Sequence, residues 1–206
     1  MAKETEQGLG TPLRFEADPE TKRKKGAYRP VFADVFTLPG ASPSKIEKVH
    51  LLVNPFAGKK RGRAVAAQVV ELVERAGIEI TVSYSAYSGH LVTMASALVV
   101  GDHDIIAVVG GDGSLSEAIT GRMLLNGKRT ETFAIVPAGT GNSQAHDLRL
   151  STPEEAVEAM LNGRRQALDL ARVELTEGLP GSTGEVIVRY SHNLVTWGLG
   201  VDSTIQ

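Results

Sequence analysis

From Lys45 onward the chain alternates short apolar runs with stretches of helical spacing, and three of the apolar runs lead into glycine-bearing turns. This alternation constrains the fold most. Strands that follow one another in the same direction need crossover connections, and the helices that make those connections cover the sheet. Val49–Val53 reads as a strand, followed by the loop Asn54–Gly62 and a helix over Arg63–Ala76 with Val65, Val69, Leu72, Val73 and Ala76 near helical spacing and Gly77 as its stop. Ile78–Tyr84 alternates like a strand, and His90–Val100 reads as a helix with Leu91, Met94, Ala95 and Leu98 on one side. Ile105–Val109 is unbroken β-branched and small apolar sequence, expected of a central strand buried on both faces. A helix over 114–125, a strand over 132–136 and helices near 142–148 and 153–161 complete an α/β domain with a parallel sheet and helices on both faces.

The domain organisation follows from where this texture starts and stops. Residues 1–44 read as a flexible or loosely packed tail containing the basic run Lys22-Arg23-Lys24-Lys25, and residues 45–165 as the α/β domain. Over 166–206 two strand-like stretches, Ala167–Leu175 and Glu185–Thr196, flank a loop with Gly178, Gly181 and Gly184, so a β-rich second domain is expected to begin there and to be incomplete at Gln206. A formal charge of −2 excludes a protein that works by coating nucleic acid. The absence of cysteine excludes disulfides, thiolate metal sites and a thiol nucleophile, and fits a cytoplasmic chain. No apolar run approaches the roughly 18 residues of a spanning helix, so any membrane contact is expected to be peripheral.

The chemistry is expected in the turns, because ligands of open α/β sheets bind at the carboxyl ends of the strands. Gly110-Gly111-Asp112-Gly113-Ser114 joins the central strand to a helix N-terminus, where free N–H groups suit an anion. Its glycines let the backbone approach a polyphosphate and permit positive φ. Asp112 suits a Mg²⁺ ligand or a base toward an attacking hydroxyl, or belongs to a plain Gly-Asp-Gly turn. Pro137-Ala138-Gly139-Thr140-Gly141-Asn142-Ser143 repeats the arrangement after the next strand; Thr140 and Asn142 offer donors to phosphate or ribose, or Asn142 caps the helix that follows. The first loop adds Asn54, Gly58 and the cations Lys59, Lys60, Arg61 and Arg63, which reach phosphates or a membrane, or are simply solvated. His90, at a helix start, reads as a capping or packing residue. The chain lacks a G-x-x-x-x-G-K-[ST] loop, a G-x-G-x-x-G dinucleotide fingerprint, a G-x-S-x-G elbow and an H-E-x-x-H pair.

Together the three loops resemble those of lipid kinases with a diacylglycerol kinase catalytic domain, marked by N-P-x-x-G, G-G-D-G-[ST] and P-x-G-[ST]-G-N in that order. Here they read Asn54 to Gly58, Gly110 to Ser114 and Pro137 to Asn142, and the resemblance extends over 48–202. It implies an N-terminal nucleotide domain related to those of NAD kinases and phosphofructokinases, a C-terminal β-sandwich, ATP between them and a lipid entering mainly from the second domain. By this resemblance Gly58, Gly110, Gly111, Gly113, Ser114, Gly139, Thr140, Gly141 and Asn142 hold ATP and Asn54 lies near it. Asp112 is implied as the catalytic acidic residue and, with ATP, a Mg²⁺ site. Glu117 matches a position near the nucleotide, although Ser114-Leu115-Ser116-Glu117 also spells a local capping box. Trp197-Gly198-Leu199-Gly200-Val201-Asp202 is similar to a segment of sphingosine and ceramide kinases, making Asp202 a candidate substrate residue; Thr204 stands where sphingosine kinases place another Asp. The implied activity is transfer of the γ-phosphate of ATP to a lipid hydroxyl, a sphingoid base ahead of diacylglycerol or ceramide, by a cytoplasmic enzyme peripherally associated with membrane. A nucleotide-binding module without lipid kinase activity is the alternative.

Overall fold

Four strands form a parallel sheet in the order β2-β1-β3-β4: β1 (Lys48–Val53), β2 (Glu79–Tyr84), β3 (Asp104–Gly110) and β4 (Thr132–Pro137). The computed structural model describes residues 46–126, 131–162, 165, 167–176 and 185–193, which belong to a single unit, Phe36–Gln206. The chain places β2 on one side of β1 and then β3 and β4 on the other. The order therefore reverses between β1 and β3, and at such a switch point neighbouring connections leave in opposite directions and open a crevice. β3 is buried from Ile105 to Gly110, as its apolar sequence anticipates for a strand covered on both faces.

Alternate residues of the sheet feed two cores. Val49, Leu51, Val53, Ile105, Ala107 and Val109 pack with Ala66, Val69 and Val73 of α2 (Gly62–Arg75) and Ala156, Val157 and Met160 of α6 (Pro153–Asn162). On the opposite face Leu52, Ile106, Val108 and Ile135 meet Leu91 and Ala95 of α3 (His90–Ala97), Leu115, Ala118 and Ile119 of α4 (Asp112–Asn126), and Ala145 of α5 (Ser143–Asp147). α2 is rich in valine, whose helix propensity trails alanine by only a fraction of a kcal/mol, about 0.7 at most. Full burial of each core valine contributes about 1.5–3 kcal/mol, so packing decides that segment's structure.

α3 ends at Ala97, three residues before its expected end at Val100, and Leu98 is already extended. The cause lies in α4. Arg122, only 2% exposed, donates from Nη1 to the carbonyls of Ala95 and Leu98 at 3.0 and 2.8 Å, and its Nη2 is paired with Glu131 at 2.6 Å. A buried guanidinium thus caps the end of a neighbouring helix, at the Leu98 carbonyl and at the Ala95 carbonyl that also accepts the Leu98 N–H. One turn was not anticipated: α1 (Ala57–Lys60), in which Gly58, Lys59 and Lys60 all have positive φ.

At the edge of the sheet away from the glycine turns, His50 Nε2 lies 3.0 Å from Asp104 Oδ2, which also accepts the Gly101 N–H at 2.8 Å. Burial by itself raises the Asp104 carboxyl; the Gly101 N–H, the His50 ring and Lys48 lower it by more, leaving it below the ordinary carboxylate value. A carboxyl lowered on folding adds stability above its unfolded pKa and loses it as pH falls through the folded one. The stability advantage of the native chain over Asp104→Asn should therefore shrink as pH falls from about 5 to below about 4. Urea unfolding across that range checks this, and an unchanging difference down to pH 3 would refute it.

A second, antiparallel sheet pairs β5 (Ala171–Thr176) with β6 (Val186–Ser191). β6 packs on α4, where the Tyr190 N–H donates to Thr120 Oγ1 at 2.9 Å. No helix among the described residues is long and apolar enough to cross a membrane.

Candidate functional site

The turns after β1, β3 and β4 touch one another at the switch point. The Asn54 N–H donates to the Val109 carbonyl at 2.9 Å, its Nδ2 donates to Ser114 Oγ at 3.1 Å, and its Oδ1 accepts the Phe56 N–H at 3.0 Å. One asparagine thus shapes the first turn and ties it to the second. The Gly110 carbonyl accepts the N–H groups of both Ala138 and Gly139, at 2.9 and 3.1 Å, which ties the second turn to the third. Gly58, with φ of 51°, closes the ring: a Cβ there would fall on the Ala138 carbonyl oxygen.

The glycines divide by function. Positive φ among the described glycines is confined to Gly58, Gly77 and Gly89, so Gly110, Gly111 and Gly113 do not serve the left-handed backbone expected of the second loop, and Gly139 and Gly141 of the third do not adopt it either. A Cβ at Gly110 would lie 2.5 Å from Ser114 Cβ, and one at Gly139 would lie 2.7 Å from Gly111 Cα. Gly110 is glycine because its own turn folds tightly onto Ser114, and Gly139 because the second and third turns press together. Gly113 is different: among the described residues a Cβ there meets nothing within 4 Å, and at Gly141 only an Asp112 oxygen at 3.9 Å. Neither packing nor left-handed backbone explains these two.

Asp112 is the first residue of α4, so the plain Gly-Asp-Gly turn gives way to a helix start. Its carboxylate reaches across to α5, with Oδ2 accepting the Ser143 N–H and Oδ1 the Gln144 N–H, both at 2.8 Å. Each oxygen keeps a further lone pair for another donor or a cation. Asp112 therefore caps α5, and the expected cap, Asn142, does not: in a left-handed backbone of φ 54°, Asn142 donates from Nδ2 to the Gly139 carbonyl at 2.9 Å. Its Oδ1 is buried without a hydrogen-bond partner among the described residues. Thr140 and Gly141 are exposed.

The capping box is not formed either. α4 has already begun at Asp112, Ser114 Oγ is taken by Asn54, and Glu117 Oε1 accepts the N–H of Gly89 at 3.0 Å, bracing the turn after β2. His90 is held locally, with Nδ1 accepting the Ala86 N–H at 3.0 Å and its ring stacked on Tyr87. Of the basic residues, Arg61 donates to the Gly58 carbonyl and Arg63 lies 4.5 Å over the Tyr84 ring, while Lys59 and Lys60 are exposed. His192 joins the site unannounced: its ring nitrogens lie 3.1 Å from Gln144 Oε1 and 3.3 Å from the Asp112 carbonyl. Asp202 lies outside the described residues.

Asp112 supplies the one carboxylate of the three loops, and no group of three or more His, Cys, Asp or Glu that could hold a metal occurs among the described residues. A free divalent cation would find too few ligands among the described residues. Mg²⁺ carried on a polyphosphate fits, because such ions take most of their ligands from phosphate and water and need one or two protein carboxylates.

Fold and site define a doubly wound α/β domain with a crevice walled by backbone at its switch point, an architecture suited to anionic ligands. The chain belongs to the diacylglycerol kinase catalytic domain family, whose model matches residues 48–173. It is 31% identical over 143 residues to sphingosine kinase B of Dictyostelium discoideum, covering 67% of this chain and 18% of that protein. To sphingosine kinase 1 of Arabidopsis thaliana it is 29% identical over 187 residues, covering 86% and 37%. A diacylglycerol kinase crystal structure from Bacillus anthracis str. Sterne superposes with a TM-score of 0.50 at 26% identity, covering 64% of this chain and 46% of that one. The chain thus spans less than half the length of each of these relatives.

Proposed function

We propose that the chain forms the ATP-binding part of a lipid kinase that transfers the γ-phosphoryl group of ATP to a lipid hydroxyl. The observation that carries this reading is the pair Gly113 and Gly141: space beside Asp112 that none of the described residues fills, next to glycines that packing does require. The N–H groups at the start of α4 face an anion there, and the exposed Lys59 and Lys60 stand on the neighbouring first turn. Asn54 and Glu117 act indirectly, holding the turns after β1 and β2.

Catalysis in this arrangement is positioning and charge neutralisation, without a covalent intermediate. Asp112, fixed by two N–H donors, turns its remaining lone pairs toward the acceptor hydroxyl and takes up its proton as the oxygen attacks the γ-phosphorus and the bond to the β-phosphate oxygen breaks to release ADP; the same carboxylate would hold the nucleotide's Mg²⁺. When bound, the ion neutralises charge on the phosphates. A sphingoid base is the first acceptor to test, ahead of diacylglycerol and ceramide, on the strength of the sphingosine kinase relatives and of Trp197 to Asp202.

The test is transfer of labelled γ-phosphate from ATP with Mg²⁺ to sphingosine, phytosphingosine, ceramide and diacylglycerol in mixed micelles, using the longest natural form of the chain. Labelling of one class names the substrate. ATP binding with no lipid labelled would replace this reading with a nucleotide-binding module, and labelling of NAD⁺ or a sugar phosphate instead would make it a soluble-acceptor kinase.

A further inference from the structure

β6 ends where the site begins. Its Tyr190 is bonded to Thr120, which is 1% exposed, so the strand is pinned to the middle of α4. Two residues further on, the His192 ring reaches the first residue of that helix, with Nε2 3.3 Å from the Asp112 carbonyl and Nδ1 3.1 Å from Gln144 Oε1. Gln144 is one of the two residues whose N–H groups hold the Asp112 carboxylate. One imidazole thus touches both sides of the contact that aims the carboxylate: the peptide of the residue bearing it and the side chain of a residue gripping it. A carbonyl oxygen only accepts, so Nε2 is the nitrogen that carries hydrogen and donates to Asp112, and the Nδ1 of the neutral ring then accepts from the Gln144 side-chain amide turned to present its NH₂ group.

We propose that His192 is a positioning residue through which the second sheet sets the direction of the Asp112 carboxylate. Thr120 already anchors β6, so loss of the imidazole leaves the sheet docked and frees the N-terminus of α5 against α4. The role is to keep the carboxylate's unused lone pairs aimed into the crevice. It rests on the reading that Asp112 faces the transferred phosphoryl group, where misplacement by about 1 Å costs on the order of 10²-fold in rate.

The test compares the native chain with His192→Ala and with His192→Gln, whose amide can still donate to the Asp112 carbonyl. Amide hydrogen exchange in the nucleotide-free chain should speed up at least about 10-fold at Ser143 and Gln144 in His192→Ala, with Tyr190 and β3 unchanged, and revert largely in His192→Gln. In the longest natural form, kcat should fall by about 10-fold or more in the alanine variant while the KM for ATP stays within about 2-fold, and the glutamine variant should recover most of it. Unchanged exchange at Ser143 and Gln144 would overturn the proposal whatever happens to turnover. Faster exchange throughout β6 in both variants would also overturn it, because His192 would then be a packing residue of the sheet. Failure of the native chain to bind ATP, with the exchange effect intact, would instead overturn the nucleotide reading and with it the catalytic consequence.

Discussion

Asp112→Asn in the longest natural form should transfer phosphate about 10²–10⁴-fold more slowly than the native enzyme, the range typical of a lost general base. The structure adds a second effect that the sequence did not suggest. The native carboxylate accepts two N–H groups, from Ser143 and Gln144. An amide keeps one oxygen for one of them and turns an NH₂ group toward the other, so α5 loses a charge-assisted cap worth about 1–3 kcal/mol. The two effects separate in measurement: urea unfolding reports the cap, and turnover at saturating ATP reports the reaction. Near-normal turnover in a variant with the expected loss of stability would leave Asp112 as a helix cap and remove it from the chemistry.

The same residue explains why the fold was more legible than the site. β3 could be read because Ile105 to Val109 is an uninterrupted apolar run, and burial on both faces needs nothing more. The convergence of the turns after β1, β3 and β4 was also legible, since parallel strands send their carboxyl ends to one edge. What the side chains do at that edge was not. Capping rules are local patterns, three or four residues long, whereas the partners here come from elsewhere: Asp112 caps a helix 31 residues on, and Glu117 holds Gly89, 28 residues back. Ser114 and Glu117 spell a capping box, and both side chains are used across the fold instead. The end of α3 escaped for the same reason, being fixed by Arg122, 24 residues beyond Leu98. His192 carried no signal, because its importance comes from the docking of β6 on α4, which fixes where the residue after the strand falls.

Gly139→Ala and Gly113→Ala should shift stability in opposite directions while both weaken nucleotide binding. At Gly139 the new methyl group lies 2.7 Å from Gly111 Cα and 3.0 Å from its nitrogen, backbone that cannot swing aside. The second and third turns must separate, at a cost of about 1–3 kcal/mol typical of overpacking. At Gly113, in the first turn of α4, the methyl meets nothing within 4 Å among the described residues. Exchange of glycine for alanine in a helix there stabilises by up to about 1 kcal/mol. If phosphates approach the backbone at 113, the same methyl blocks them, and ATP affinity should fall by at least about 10-fold, or about 1.4 kcal/mol, in a protein that melts higher than the native one. Calorimetric titration with Mg-ATP beside a thermal melt reads both quantities. A more stable Gly113→Ala that binds ATP as tightly as the native chain would mean that the phosphates pass elsewhere, because nothing among the described residues explains glycine at that position.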